Sequence, residues 1–342
     1  MKAILKDSPE KGSFSLKDVP IPKVKPGHLL IEIKSAGICN SDISIIDNTY
    51  VGRKPVPMPM ILGHEGAGII EEIGQGVCGF DVGDRVAFEA VLGCSTCNSC
   101  RIGLKNMCSS WEHIGITCDG TFAEFMVINA ELVHKIPTSI SFADAAFLEP
   151  VGLTVRSLEC IQPMLGDTAA IVGPGTIGLL HLQALKAAGV SSVIIVGLDR
   201  DRHKFKIAED LGADFIVNAS HEDPVKAVQE ITHGLGVNLV IESANSNQAL
   251  RNAIDLAAVK GRVSCFGLYP EATINFLNMI RKSVTIYGDV AQLSRHFIRA
   301  INWVESGKVS PRPLVTHRFT FDQVDEAIKA FRDGGLKVLF EN

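Results

Sequence analysis

The chain has 342 residues, 46% of them hydrophobic, with 33 Lys and Arg against 38 Asp and Glu and a formal charge of −5. That length predicts two domains with sizeable cores, and mixed charges without a basic stripe give no electrostatic case for nucleic acid. MKAILKDSPEKGS lacks the apolar centre of a signal peptide, no run reaches the roughly 18 apolar residues of a membrane span, and nine cysteines suit reduced thiols, so a cytoplasmic protein is expected.

Up to about residue 130 the pattern is short strands, at 28–34, 68–73, 85–88 and 122–128, broken by turns such as Lys25-Pro26-Gly27 and Val82-Gly83-Asp84. From about Ser141 the texture changes. Helical periods at 142–148 and 151–160 lead into a strand at 168–172, a helix at 176–188 and a strand at 192–196. A helix at 202–211, a strand at 215–217 and a helix at 224–232 follow. The series closes with a strand at 237–242, a helix at 248–256 and strands at 262–267 and 283–287. Strands alternating with helices of this length imply parallel β-α-β units, hence an α/β class. The tail reads as a helix at 293–306, an extended piece at 314–319 and a helix at 321–333.

Within the β-rich half, Cys94, Cys97, Cys100 and Cys108 form a C-x2-C-x2-C-x7-C run. Thiols this close can all turn onto one tetrahedral ion, and zinc suits four thiolates in a closed, structural site. A disulfide pair or an iron–sulfur ligand set is the competing reading.

Gly173-Pro174-Gly175-Thr176-Ile177-Gly178 matches G-x-G-x-x-G between a predicted strand and helix. Gly173 permits the tight turn, Gly175 lets backbone approach a pyrophosphate, and Gly178 lets helix and strand pack closely. The helix start at Thr176 and Ile177 offers free N–H groups to the phosphates. A ribose-binding acid is expected about 20 residues on. Gly197 stands at that strand tip, and Asp199 follows two residues late, beside Arg200 and Arg202. Without the acid a 2′-phosphate would be admitted, which leans toward NADP. Asp199 folding back onto the ribose would favour NAD.

Cys39 and His64 each lie beside an extended segment, and Glu149 interrupts an apolar stretch. A thiolate, an imidazole and a carboxylate leave one tetrahedral position open, as in a working zinc site. Spacing alone does not assemble them: Cys39 also reads as a small buried hydrophobe and His64 as a satisfied turn histidine.

Taken together, Gly37-Ile38-Cys39-Asn40-Ser41-Asp42, Gly63-His64-Glu65-Gly66-Ala67-Gly68, Gly83-Asp84-Arg85-Val86, the four-cysteine loop, Leu148-Glu149-Pro150 and the glycine turn carry a resemblance. Over nearly its whole length the chain resembles the zinc-dependent medium-chain dehydrogenases, in particular the polyol (sorbitol or iditol) and threonine dehydrogenase branch. The resemblance implies a GroES-like catalytic domain at 1–150 and 291–342, with its structural zinc loop near 93–109. It implies a doubly wound Rossmann domain inserted at 151–290. Cys39 and His64 match the constant ligands of the reactive zinc, and Glu65 and Glu149 match two acids that compete for the remaining protein position. Ser41 matches the hydroxyl that relays the substrate's proton. Many relatives carry a histidine where this chain has Ser44, so the relay must end in water, the cofactor ribose or another group such as Asp42.

The implied activity is hydride transfer between NAD(P) and a secondary alcohol or ketone: a polyol, sugar or sugar-alcohol derivative, or alternatively threonine or a simple secondary alcohol. The cleft between the two domains is expected to hold both reactants. The loop 48–54 and the stretch 113–117 are expected to line the pocket, with Arg53 and Lys54 either binding a phosphate or lying in solvent. A zinc-independent quinone or enoyl reductase has no use for an open metal site, and a non-enzymatic zinc-ribbon protein should show more basic and aromatic residues around its loop. By family analogy a homodimer or homotetramer is expected, the edge strand at 284–287 pairing across a two-fold axis.

Overall fold

The computed structural model describes residues 1–288 and 290–342, which divide into two compact units. One unit comprises Met1–Gly152, Ala291–Gly307 and Val315–Asn342, and the other Leu153–Val290 and Lys308–Leu314.

The Leu153–Val290 unit is built on six parallel strands in the spatial order Phe215–Asn218, Ser192–Gly197, Thr168–Val172, Val237–Glu242, Ala257–Cys265 and Thr285–Gly288. In chain order this is 3-2-1-4-5-6, the doubly wound arrangement of Rossmann folds. The central strands are apolar and buried on both faces, Ala169–Ile171 and Val193–Ile195 having no solvent exposure, as a parallel sheet covered by helices requires.

Two boundaries in this unit differ from expectation. The fifth strand starts at Ala257 rather than 262, because Ala257 already pairs with Val237, and Lys260, with a left-handed φ of 63°, lies where the register shifts before Arg262 meets Leu239. A helix at Phe276–Lys282 was not expected, and Ser283, with a left-handed φ of 51°, ends it and delays the last strand to Thr285.

The other unit centres on a mixed sheet ordered Val133–Lys135, Arg85–Phe88, Glu65–Ile73, His28–Gly37, Lys337–Glu341 and Val315–Phe319, with Phe125–Asn129 also on His28–Gly37. Phe122, Phe321 and Phe340 meet in its core with ring centroids 5.1 and 5.2 Å apart. The C-terminal strand Lys337–Glu341 was not expected, yet it lies inside the sheet: Leu339 pairs with Gly37, which itself pairs with Glu65. Three strands therefore bring Cys39, His64, Glu65 and Lys337 to one end of the sheet. Among the described residues no helix is long and apolar enough to cross a membrane.

Candidate active site

Cys39 caps the helix Asn40–Ile46 in extended conformation, and the Asp42 carboxylate reaches back to the Cys39 N–H at 2.8 Å. The other Asp42 oxygen accepts from the Gly63 N–H at 3.2 Å and lies 3.6 Å from His64 Nδ1, an ion-pair distance. Fully buried Asp42 thus ties the cysteine turn to the histidine turn and orients the imidazole, as carboxylates behind metal-binding histidines do. Burial pushes the His64 imidazole down, but the charge and hydrogen bond of Asp42, with Cys39 behind them, outweigh it and leave it well above its ordinary value. Ser41 Oγ lies 3.5 Å from His64 Nε2, and Ser44 Oγ is turned back onto the Asn40 carbonyl at 2.9 Å.

One ligand atom each from Cys39, His64 and Glu65 falls within 4.8 Å of the others. Glu65 also carries an ion pair with Lys337, and both side chains are buried. Lys337 donates to the Ile38 carbonyl at 3.3 Å and stands over the Phe147 ring. A Cβ at Gly37 would come 2.5 Å from the Glu65 carboxylate, so glycine there makes room for the pair. Glu149, in the first turn of the helix Leu148–Ile161, is buried beside this group. Burial raises its carboxyl to about 7, with His64 and Lys337 opposing and Glu65 and Asp42 adding to the rise.

Sequence reasoning placed the stretch 113–117 near the pocket without assigning His113 a role. Its ring stands edge-on to the His64 ring at 5.3 Å and to Trp111 at 5.8 Å. Burial pushes its imidazole down to about 3, with the His64 charge helping. Gly115 and Gly120 allow this turn to press on the His64 segment, since a Cβ on either would come within 2.2 Å of the Gly63 carbonyl. The cations of the 48–54 loop hold backbone: Lys54 donates to the Trp111 carbonyl at 2.6 Å, and Arg53 reaches the Cys108 carbonyl at 3.4 Å. Tyr50 is partly buried, which raises its phenol, and it is close enough to His64 to feel its charge. Lys337 and His113 had no local signature; only the pairing of distant segments reveals them.

The four cysteines of the loop place their sulfurs within 4.8 Å of one another, with Cys97 and Cys108 3.7 Å apart. A tetrahedron with metal–sulfur bonds of about 2.3 Å spaces its corners by roughly 3.8 Å, so the set fits zinc. The Thr96 hydroxyl and the Thr96 and Cys97 N–H groups hold the Cys94 thiol down to about 5, favouring the thiolate a metal needs. None of the four loop cysteines is joined in a disulfide.

In the glycine turn, Gly173 has a φ of 103° and faces Ala244, and a Cβ at Gly178 would lie 2.2 Å from the Gly173 carbonyl. Nothing stands within 4 Å of a Cβ built at Gly175, the cap of the helix Thr176–Ala187. An open glycine at a helix N-terminus fits a pyrophosphate. The Ile177 carbonyl is occupied by His181 Nδ1 at 2.8 Å. At the second strand, a Cβ at Gly197 would meet the Phe205 ring at 2.5 Å. Asp199 Oδ1 accepts from Asn218 and His221, both at 2.8 Å, and from Arg202 at 3.1 Å. These donors, Asn218 first, hold its carboxyl low, and Arg200 beside it is exposed.

Residues 25–138 match the alcohol dehydrogenase GroES-like domain family, and residues 176–306 match the zinc-binding dehydrogenase family. A sorbitol dehydrogenase of Halalkalibacterium halodurans is 35% identical over 99% of this chain and 98% of its own. An L-threonine 3-dehydrogenase of Pyrococcus horikoshii is 36% identical over the same shares. Among solved structures, an Escherichia coli CFT073 enzyme described as a short chain alcohol dehydrogenase, solved with NADH, superposes with a TM-score of 0.92. It is 30% identical and covers 100% of this chain and 99% of its own.

Proposed function

This chain belongs to the zinc-binding medium-chain alcohol dehydrogenases, NAD(P)-dependent enzymes with a structural four-cysteine zinc and a catalytic Cys/His/Glu zinc, and from that premise we propose an uncharged polyol or sugar derivative as its substrate. The observation that carries this reading is the commitment of Lys54 and Arg53 to the carbonyls of Trp111 and Cys108. The two cations of the pocket loop brace it instead of standing ready for a phosphate or a carboxylate. The names of the two relatives support a polar neighbour to the reacting carbon, since sorbitol and threonine both carry a hydrogen-bond donor beside a secondary alcohol.

When bound, the zinc supplies Lewis-acid charge beside Cys39 and His64, and the nicotinamide carries the hydride. Ser41 takes the proton of the reacting hydroxyl. Both Asp42 oxygens face backbone N–H groups and Ser44 is bound to its own helix, so the proton passes from Ser41 to water or to the cofactor ribose. Glu149 is the third protein ligand in this reading. Lys337 already neutralises Glu65, whereas buried Glu149 has no bonded cation among the described residues, and a metal ion would supply one. The absence of an acid at Gly197 and the neutralised Asp199 favour NADP over NAD. The strand Thr285–Gly288, paired on one side only among the described residues, supports a homo-oligomer, which a monomeric mass by light scattering would refute.

The test is reduction of NAD and of NADP by zinc-replete protein with sorbitol, xylitol, 2,3-butanediol, sorbitol 6-phosphate, threonine and 2-butanol. The reading expects the highest kcat/KM with an uncharged polyol. A tenfold preference for threonine or the phosphate ester would overturn it.

A further inference from the structure

His113 sits where the small strand Glu112–His113 turns, and its backbone is fastened by Thr117 and by the sheet partner Val91. Its Nδ1 lies 2.7 Å from the Ile114 carbonyl. A carbonyl oxygen only accepts, so Nδ1 carries the proton and Nε2 is left as a bare acceptor. Among the described residues Nε2 has no hydrogen-bond partner, and the residue as a whole is half-buried. The Ile114 bond holds the Nδ1 side of the ring, and Trp111 packs edge-on against it with ring centroids 5.8 Å apart. It stands one imidazole's width from His64, a ligand of the reacting centre.

We propose that His113 is a specificity-determining residue whose Nε2 accepts a hydrogen bond from a hydroxyl on the carbon next to the reacting carbinol. The inference rests on the polyol reading and narrows it to vicinal diols. A site with an acceptor of this kind recognises the second hydroxyl directly. A mono-alcohol leaves the acceptor without its partner and is bound less well. A carbon skeleton bearing one hydroxyl would also leave the fixed ring edge against nothing that can donate.

The experiment compares 2,3-butanediol with 2-butanol in the wild type, His113→Phe and His113→Gln, as zinc-loaded enzyme with its preferred cofactor. Phe keeps the ring against His64 and Trp111 but removes the acceptor, and Gln restores an acceptor oxygen. The ratio of kcat/KM for the diol over the mono-ol should fall by about 10- to 100-fold in His113→Phe, mostly through KM, and recover partly in His113→Gln. Dissociation constants of the two alcohols for the enzyme–cofactor complex, by titration calorimetry, should move in parallel, and zinc content should stay at the wild-type value. If His113→Phe does not fold, His113→Gln against His113→Leu supplies the same contrast. A wild type that does not prefer the diol defeats the polyol reading. A wild type that does, with the ratio unchanged in His113→Phe, defeats the role of His113 alone.

Discussion

Lys337 and Glu65, 272 residues apart in the chain, form an ion pair inside the sheet, with side chains 4% and 2% exposed. Burial works against the Lys337 ammonium, but Glu65, Cys39 and Glu149 outweigh it and hold it above its ordinary value. The pair joins the last strand of the chain to the strand that follows His64, so the C-terminal strand is part of the site's frame.

Removing the cation should therefore cost more than an exposed pair would. Lys337→Met leaves the Glu65 carboxylate buried and uncompensated, and stability should fall by about 3–5 kcal/mol. Lys337→Arg should recover part of it. Urea unfolding of zinc-replete protein gives both values, and a loss under about 1 kcal/mol would mean that the pair contributes nothing net.

In metal-free protein the Glu149 carboxyl titrates near 7 against an ordinary value of 4.5. Between those values the unfolded chain has released a proton that the folded chain keeps, so rising pH favours unfolding. His64, raised as well, acts in the same direction as pH climbs past its ordinary 6.5. The stripped protein should be more stable at pH 5 than at pH 7.5, with Glu149 contributing roughly 2 kcal/mol of the difference. Denaturation midpoints for the wild type and Glu149→Gln across that range check this, and an equal slope in both would remove Glu149 as the cause.

The four-cysteine loop has a structural task. Cys97→Ser should lower zinc content by half, open the 94–108 loop to proteolysis and reduce the melting temperature. Activity per folded molecule should fall much less than in Cys39→Ser, which keeps the fold and loses turnover. Metal analysis, limited digestion and kinetics on the same preparations separate the two sites.

Gly197 gives a less simple experiment than its place in the sequence suggests. An acid there is expected to shift preference toward NAD, but its Cβ would collide with Phe205, so Gly197→Asp alone should lose about 1–3 kcal/mol of stability. Gly197→Asp with Phe205→Ala relieves the collision. The double variant should shift the NAD/NADP ratio of kcat/KM upward, and an unchanged ratio would point to Asp199 as the discriminator.

What could be read along the chain was local chemistry. The spacing of Cys94, Cys97, Cys100 and Cys108 puts four thiols within reach of one ion whatever surrounds them. The Gly173–Gly178 turn declares itself because Gly178 packs on the Gly173 carbonyl within the same motif and Gly175 leaves the helix start open, and the alternation of strands and helices after it dictates a parallel sheet. Strand and helix ends were less legible: the fifth strand reaches back to Ala257 only because Ala257 pairs with Val237 across a register shift, a long-range contact that local pattern does not show. Family motifs pointed to Cys39, His64, Glu65 and Glu149, but not to what surrounds them. That Asp42 braces His64, that Lys337 neutralises Glu65, and that His113 meets His64 edge-on are contacts between distant segments. Their charges and hydrogen bonds gain meaning only when strand pairing brings them together and burial strips away the water, so only the tertiary structure decided them.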